Sequence, residues 1–175
     1  MAVVSELAAG AQPSGSASLR RWTVGLLVVF TLHNSEELVR YGSGAAGPVT
    51  RWSEVYAADR FVVAVLLLTV AVAALLLPVL LRRTPRAACV ALLAVGALLG
   101  NVVSHVGQVV VLRGDSPGVV TAVLLVLPVG VQVVRLLTPL ARTGRTGTAG
   151  LLAAGALLAI PAIIGSLLLG RAIVG

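Results

Sequence analysis

Residues 22–41 read WTVGLLVVFTLHNSEELVRY, and the fold turns on whether this stretch is one helix. Its apolar run from Trp22 to Leu32 has eleven residues, too few to cross a hydrocarbon core that takes about 20. Continued through His33, Asn34, Ser35, Glu36 and Glu37 to Tyr41, the helix reaches that length and carries one imidazole and two carboxylates into or near hydrocarbon. Each carboxylate costs roughly 2.5–3.5 kcal/mol there if it is central and ionised. The group is therefore expected to face a bundle interior, to pair, or to take up a proton or a metal.

The surrounding chain is more apolar still. Of its 175 residues 58% are hydrophobic, with a mean hydropathy of +1.06, more apolar surface than a soluble domain of this size can bury. Thirteen basic residues, all arginine, stand against six acidic ones for a net charge of +7. The arginines cluster between apolar runs, where they act as helix-flanking topology signals and contacts for anionic lipid. With aromatics at 3%, base stacking has no basis and no nucleic-acid partner is expected. Cys89 is the only cysteine, so it reads as a small apolar residue, and neither a disulfide nor a thiolate metal pair can form. Residues 1–19 lack the charged and apolar regions of a cleaved leader. Rich in serine, with Gly10, Pro13 and Gly15, they are expected to form a disordered tail ahead of a single transmembrane helical domain over 20–175.

The expected fold is all-α, a polytopic transmembrane helix bundle of five spans at about 22–41, 61–81, 87–112, 118–140 and 149–170. Phe61 to Leu81 is uncharged and stops at Arg82-Arg83-Thr84-Pro85-Arg86, a tight basic turn. Gly96, Gly100 and Ser104 recur every four residues in the third run, a stripe on which another helix can approach closely. Pro128 predicts a kink in the fourth span, and Pro161 lies near the middle of the fifth. In the loop 42–60, Trp52 and Tyr56 suit headgroup level, with a short amphipathic helix starting at Ser53. Five spans put Arg20, Arg21, Arg82, Arg83, Arg86, Arg142 and Arg145 on one side, against Arg40, Arg51, Arg60, Arg113 and Arg171 on the other. The positive-inside rule then places the N-terminus in the cytoplasm.

On a helix His33, Glu36 and Glu37 share a face, as do Asn101, His105 and Gln108. His33 follows about eleven residues of the first span, and His105 precedes the end of the third by about seven. At about 1.5 Å per residue both polar faces fall at comparable depth in the outer half of the bundle and should meet. His33, His105 and Glu37, with Glu36 as a further candidate, would then form a two-histidine, one-carboxylate set suited to zinc with an open position or to non-haem iron(II). The second glutamate would serve as base or bridge, and Asn101 or Gln108 would orient an imidazole. The same residues without a metal would make a proton-sharing cluster. A salt bridge from Arg40 can absorb one of the two glutamates without any function.

His33-Asn-Ser-Glu36-Glu37, then Asn101-Val-Val-Ser-His105, then Ser116-Pro117-Gly118-Val-Val-Thr121, resemble in order the HXXEE-motif family of small bacterial integral membrane proteins. The likeness runs from about Trp22 to Gln132. It implies a bacterial plasma-membrane location and a metal-binding role for the matched histidines and glutamates. The family pattern has a further histidine, whereas His33 and His105 are the only two here, which excludes a three-histidine site. The likeness also brings Thr121 to the start of the fourth span, on the side of the site.

The leading functional expectation is an intramembrane enzyme with Glu36, Glu37, His33 and His105 as its catalytic groups. It would carry out metal-assisted or acid/base isomerisation, cyclisation or hydrolysis of a lipophilic small molecule reached from the lipid bilayer. A proton-coupled or metal-ion transporter and a non-catalytic accessory protein are the alternatives. Oligomeric state is left open.

Overall fold

The computed structural model describes residues 15–42 and 58–174, which form a bundle of helices. They are α1 (Gly15–Gly42), α2 (Ala58–Arg82), α3 (Pro85–Leu112), α4 (Val119–Ala141) and α5 (Gly144–Val174). Helix α1 starts at Gly15, inside the stretch read as a tail. The rest of that tail, and the loop with Trp52, Tyr56 and the helix expected from Ser53, lie outside the described residues.

Four of these helices are long and apolar enough to cross a bilayer: Asp59–Arg82, Pro85–Val111, Val119–Ala141 and Gly144–Val174. The protein is thus an all-α chain with the helices of an integral membrane protein. The expectation of five spans is corrected to four, because α1 does not qualify among the described residues. Its apolar run is cut short by Arg20 and Arg21 on one side and by the polar group His33–Glu37 on the other. Helix α1 is nonetheless part of the bundle: Leu26 and Phe30 are buried in the same core as Leu76 of α2, Leu92 of α3 and Val133 of α4.

The bundle is apolar outside and polar at chosen points inside. Val28, Val70, Val110, Leu124, Leu157 and Leu168 are exposed, whereas His33, Asn34, His105 and Ser116 are buried. A surface of this kind is covered by lipid rather than water.

Short turns set the order of the helices. Thr84 accepts a hydrogen bond from the Ala87 N–H at 3.2 Å, and Pro85 opens α3 where no N–H partner is needed. Arg83, Arg113 and Arg142 all adopt positive φ between helices, at 44°, 48° and 58°. Arg113 and Arg142 close α3 and α4 as left-handed C-caps, which sets a cation beside the negative end of each helix dipole.

Helices α3 and α5 make the closest contact. A Cβ built on Gly96 would stand 2.4 Å from the Leu152 carbonyl oxygen, and one on Gly155 would stand 2.0 Å from that of Leu93. Only glycine admits such an approach. The stripe read at Gly96 and Gly100 is thus a helix-packing face, while Ser104 beyond it is exposed.

Helix α4 is not uniform. Residues Ala122–Val126 are π-helical, and the Leu127 N–H bonds back to the Ala122 carbonyl. The wider turn ends just before Pro128, which has no N–H to give and enters at the start of the following α-helical segment. Pro128, the position of the expected kink, thus follows a π-helical turn.

Candidate metal centre

Helix α1 brings His33, Glu36 and Glu37 to the interior, helix α3 brings Asn101, His105 and Gln108, the turn into α4 brings Ser116 and Gly118, and the first turn of α4 brings Thr121. The two imidazoles lie edge to face with ring centroids 4.9 Å apart. Glu37 Oε1 is 3.1 Å from His105 Nε2 and 3.9 Å from His33 Nε2. One ligand atom from each of these three residues lies within 4.8 Å of the other two, although the residues belong to two helices far apart in the chain.

Hydrogen bonding at the far side of each ring decides what faces the centre. His33 Nδ1 is 3.1 Å from the Gly118 carbonyl oxygen and 3.0 Å from Thr121 Oγ1. A carbonyl oxygen only accepts, so Nδ1 carries a proton and Nε2 is the nitrogen turned inward. Ser116 Oγ donates to Gln108 Oε1 at 3.1 Å, and with its hydrogen committed it accepts from His105 Nδ1 at 3.2 Å. His105 Nε2 is then the nitrogen turned inward, 3.1 Å from Glu37 Oε1. Asn101 Nδ2 lies 3.0 Å from His33 Nε2 and 3.3 Å from His105 Nε2.

Two imidazole Nε2 atoms and a carboxylate converge in this way on one point, with the opposite edge of each ring anchored in the surrounding protein. This donor set fits a divalent cation. It has the two-histidine, one-carboxylate composition of open zinc and non-haem iron(II) sites, and the outer-side hydrogen bonds that fix such ligands are in place.

The two glutamates take separate positions. Glu36 Oε2 accepts from Thr121 Oγ1 at 2.6 Å and from the Thr121 N–H at 3.3 Å, and its other oxygen lies 3.9 Å from Arg40 Nη1. Glu36 therefore stands outside the three-ligand group, holding Thr121, which in turn holds His33. Arg40 also pairs with Asp115 in the turn after α3. Of the two carboxylates, Arg40 engages one and leaves Glu37 to the centre.

Gly118 and Ser116 carry no role in the sequence reading, yet each fixes a histidine. Gly118 has φ of +83°, and a Cβ there would meet His33 Cε1 at 2.7 Å and Glu37 Cγ at 2.9 Å. The available signal was Ser-Pro-Gly at residues 116–118, a turn signature directly preceding an apolar run. Asn34, next to His33, turns to α2 and donates to Thr69 Oγ1 at 2.7 Å.

One side of the centre opens into a cavity of about 330 Å³ between α1, α2, α3 and α5, and Glu37, Asn101 and His105 form part of its wall. Most of the remaining wall is apolar.

Residues 24–133 match the profile of a protein family described as "Protein of unknown function with HXXEE motif". The match contains α1 from its third turn onward, all of α2 and α3, and α4 as far as Val133, and with them every residue of the centre. No curated protein and no solved structure matches the chain.

Proposed function

The chain belongs to the HXXEE-motif family of small membrane proteins, and on that premise we propose that it is an intramembrane enzyme acting on a lipophilic small molecule at a His33/Glu37/His105 metal centre. The observation that carries this reading is the convergence of one ligand atom each from His33, Glu37 and His105 within 4.8 Å of one another. With each Nδ1 engaged outward, both Nε2 atoms and a carboxylate face one another. A proton or a cation held among them balances the carboxylate. Zinc or iron(II) bound there would supply Lewis acidity toward an oxygen atom of the substrate.

The chain's own residues have distinct parts in this reading. His33 and His105 hold the centre, and Glu37 is both a ligand and the nearest group able to take a proton from a molecule in the cavity. Glu36 and Thr121 keep His33 in position, and Gln108 with Ser116 does the same for His105. Asn101 Nδ2, within 3.3 Å of both Nε2 atoms, borders the centre on the α3 side. Isomerisation, cyclisation and hydrolysis all use such groups.

The cavity favours an enzyme over an ion transporter. Away from the centre it is lined by Leu75, Leu93, Ala94, Gly155 and Leu158, and an ion crossing the bundle would need polar partners there. The orientation proposed for the protein puts the end bearing Arg82, Arg83, Arg86, Arg142 and Arg145 in the cytoplasm, which leaves the centre in the outer half.

Elemental analysis of protein purified in detergent tests the proposal. Stoichiometric zinc or iron in the wild type, lost in His105→Ala with helicity retained, is the expected result. Absence of both metals from the wild type, including after loading with either ion, overturns it.

A further inference from the structure

The cavity beside the centre has a length, a polarity gradient and an opening that together define what fits. Along α3 its lining runs from Leu93 to Gln108, roughly 22 Å at about 1.5 Å per residue. That exceeds half of the about 30 Å hydrocarbon core, the length available to a lipid chain in one leaflet. A volume of about 330 Å³ lies at the small end of the about 300–1,000 Å³ of ligand pockets, which favours one extended hydrocarbon chain over several.

The two ends differ in chemistry. Glu37, Asn101, His105 and Gln108 stand at one, and Leu75, Leu93, Gly155 and Leu158 at the other. A molecule matching this gradient has a polar group at one terminus only.

The wall between α2 and α5 is where such a molecule can pass. Leu75 on α2 and Leu158 on α5 both line the cavity and are 42% and 58% exposed. Ala71 and Ala162 repeat the pattern one turn further on, small and exposed. Pro161 sits in α5 at this level, where the missing N–H weakens the helix's own hydrogen bonding. The opening is bordered by apolar side chains and faces the surface that lipid covers.

We propose that the cavity takes a single-chain amphiphile with an oxygen-bearing head group, drawn from the bilayer between α2 and α5, its head at Glu37 and His105 and its chain along α3 toward Leu93. The proposal rests on the enzyme reading only in taking the head group as the reacting part; occupancy of the cavity is a separate matter and can be tested separately.

Wild-type protein in nanodiscs is irradiated with a palmitate analogue carrying a diazirine near its tail end, and labelled peptides are mapped by mass spectrometry while bound metal is measured on the same sample. Label is expected on Leu93 or Ala94 inside the cavity, displaced by unlabelled palmitate and not by octanoate. Ala97→Phe, and independently Ala159→Phe, should lose that label and keep the metal, because both positions narrow the cavity away from the ligands. Label confined to outward-facing residues such as Leu66, Val70 and Leu168, or undiminished in both folded variants, overturns the proposal. Cavity label in a protein that binds no metal leaves this proposal standing and removes the metal reading. Bound metal without cavity label does the reverse.

Discussion

Glu37 Oε1 lies 3.1 Å from His105 Nε2, and this contact ties the polar half of α1 to the polar stripe of α3. It explains how the bundle accommodates a helix with two carboxylates. Glu37 is turned away from lipid toward a group that is neutral or cationic but never anionic, and Glu36 is absorbed by Thr121 and Arg40.

The adjacent glutamates should therefore separate on substitution. Glu37→Gln removes a charged ligand and is expected to abolish stoichiometric zinc or iron. Glu36→Gln leaves the three ligands intact and should lower affinity by about 10–100-fold, the usual effect of losing an outer-side partner. Metal titration of both purified variants checks this, and equal losses would mean that Glu36 is itself a ligand.

Thr121 links Glu36 to His33 through one hydroxyl. Thr121→Ser keeps that hydroxyl and should bind metal as the wild type does. Thr121→Val keeps the shape without it, and a drop of about 10–100-fold in affinity is expected. An unchanged valine variant would assign the positioning of His33 to the Gly118 carbonyl alone.

Gly118→Ala should be destabilising for two reasons that add. The left-handed backbone costs a non-glycine residue about 1–2 kcal/mol, and the new methyl would press on His33 Cε1 and Glu37 Cγ. Metal content should fall together with the thermal midpoint in detergent. In a His33→Ala background part of the clash is gone, so the further loss from Gly118→Ala should be smaller; strict additivity would count against the contact.

Two glycines of α5 should respond in opposite directions. Gly155→Ala forces a methyl into the backbone of α3 at Leu93, an overpacking cost of about 1–3 kcal/mol. Gly165→Ala meets nothing within 4 Å and should gain roughly 0.5–1 kcal/mol from helix propensity alone. Unfolding in mixed micelles distinguishes them.

Thr23 is fully buried, and its Oγ1 has no hydrogen-bond partner among the described residues. Exchange for the isosteric Thr23→Val removes a buried polar atom that gains nothing from being there, so stability should stay level or rise by about 1–3 kcal/mol. A clear loss in the same unfolding experiment would show that the hydroxyl has a partner in the membrane.

Much of the centre is legible in the chain itself because helical geometry is regular. His33 with Glu37, and Asn101 with His105, are one turn apart on their own helices, and counting residues from the helix ends puts the two pairs at one depth. The glycines at 96 and 100 announce a close helix contact in the same way, since a missing side chain has a packing meaning that does not depend on the partner. The partner does depend on the fold: nothing in the spacing says that the stripe meets α5.

The local sequence by itself determined that the chain is helical and lipid-covered, where most of its helices run, and which residues of each helix share a face. It overstated the number of spans, because the length of α1 can be counted but its polarity outweighs its apolar run. Only the tertiary structure decided which carboxylate joins the histidines, through the packing of α4 beside α1, which hands Glu36 to Thr121. It alone decided the outward partners of the two rings too, since the Gly118 carbonyl and Ser116 hydroxyl reach the rings only when the turn before α4 folds over them. Spacing along one helix is set by the backbone, whereas contacts between helices depend on side chains far apart in the chain.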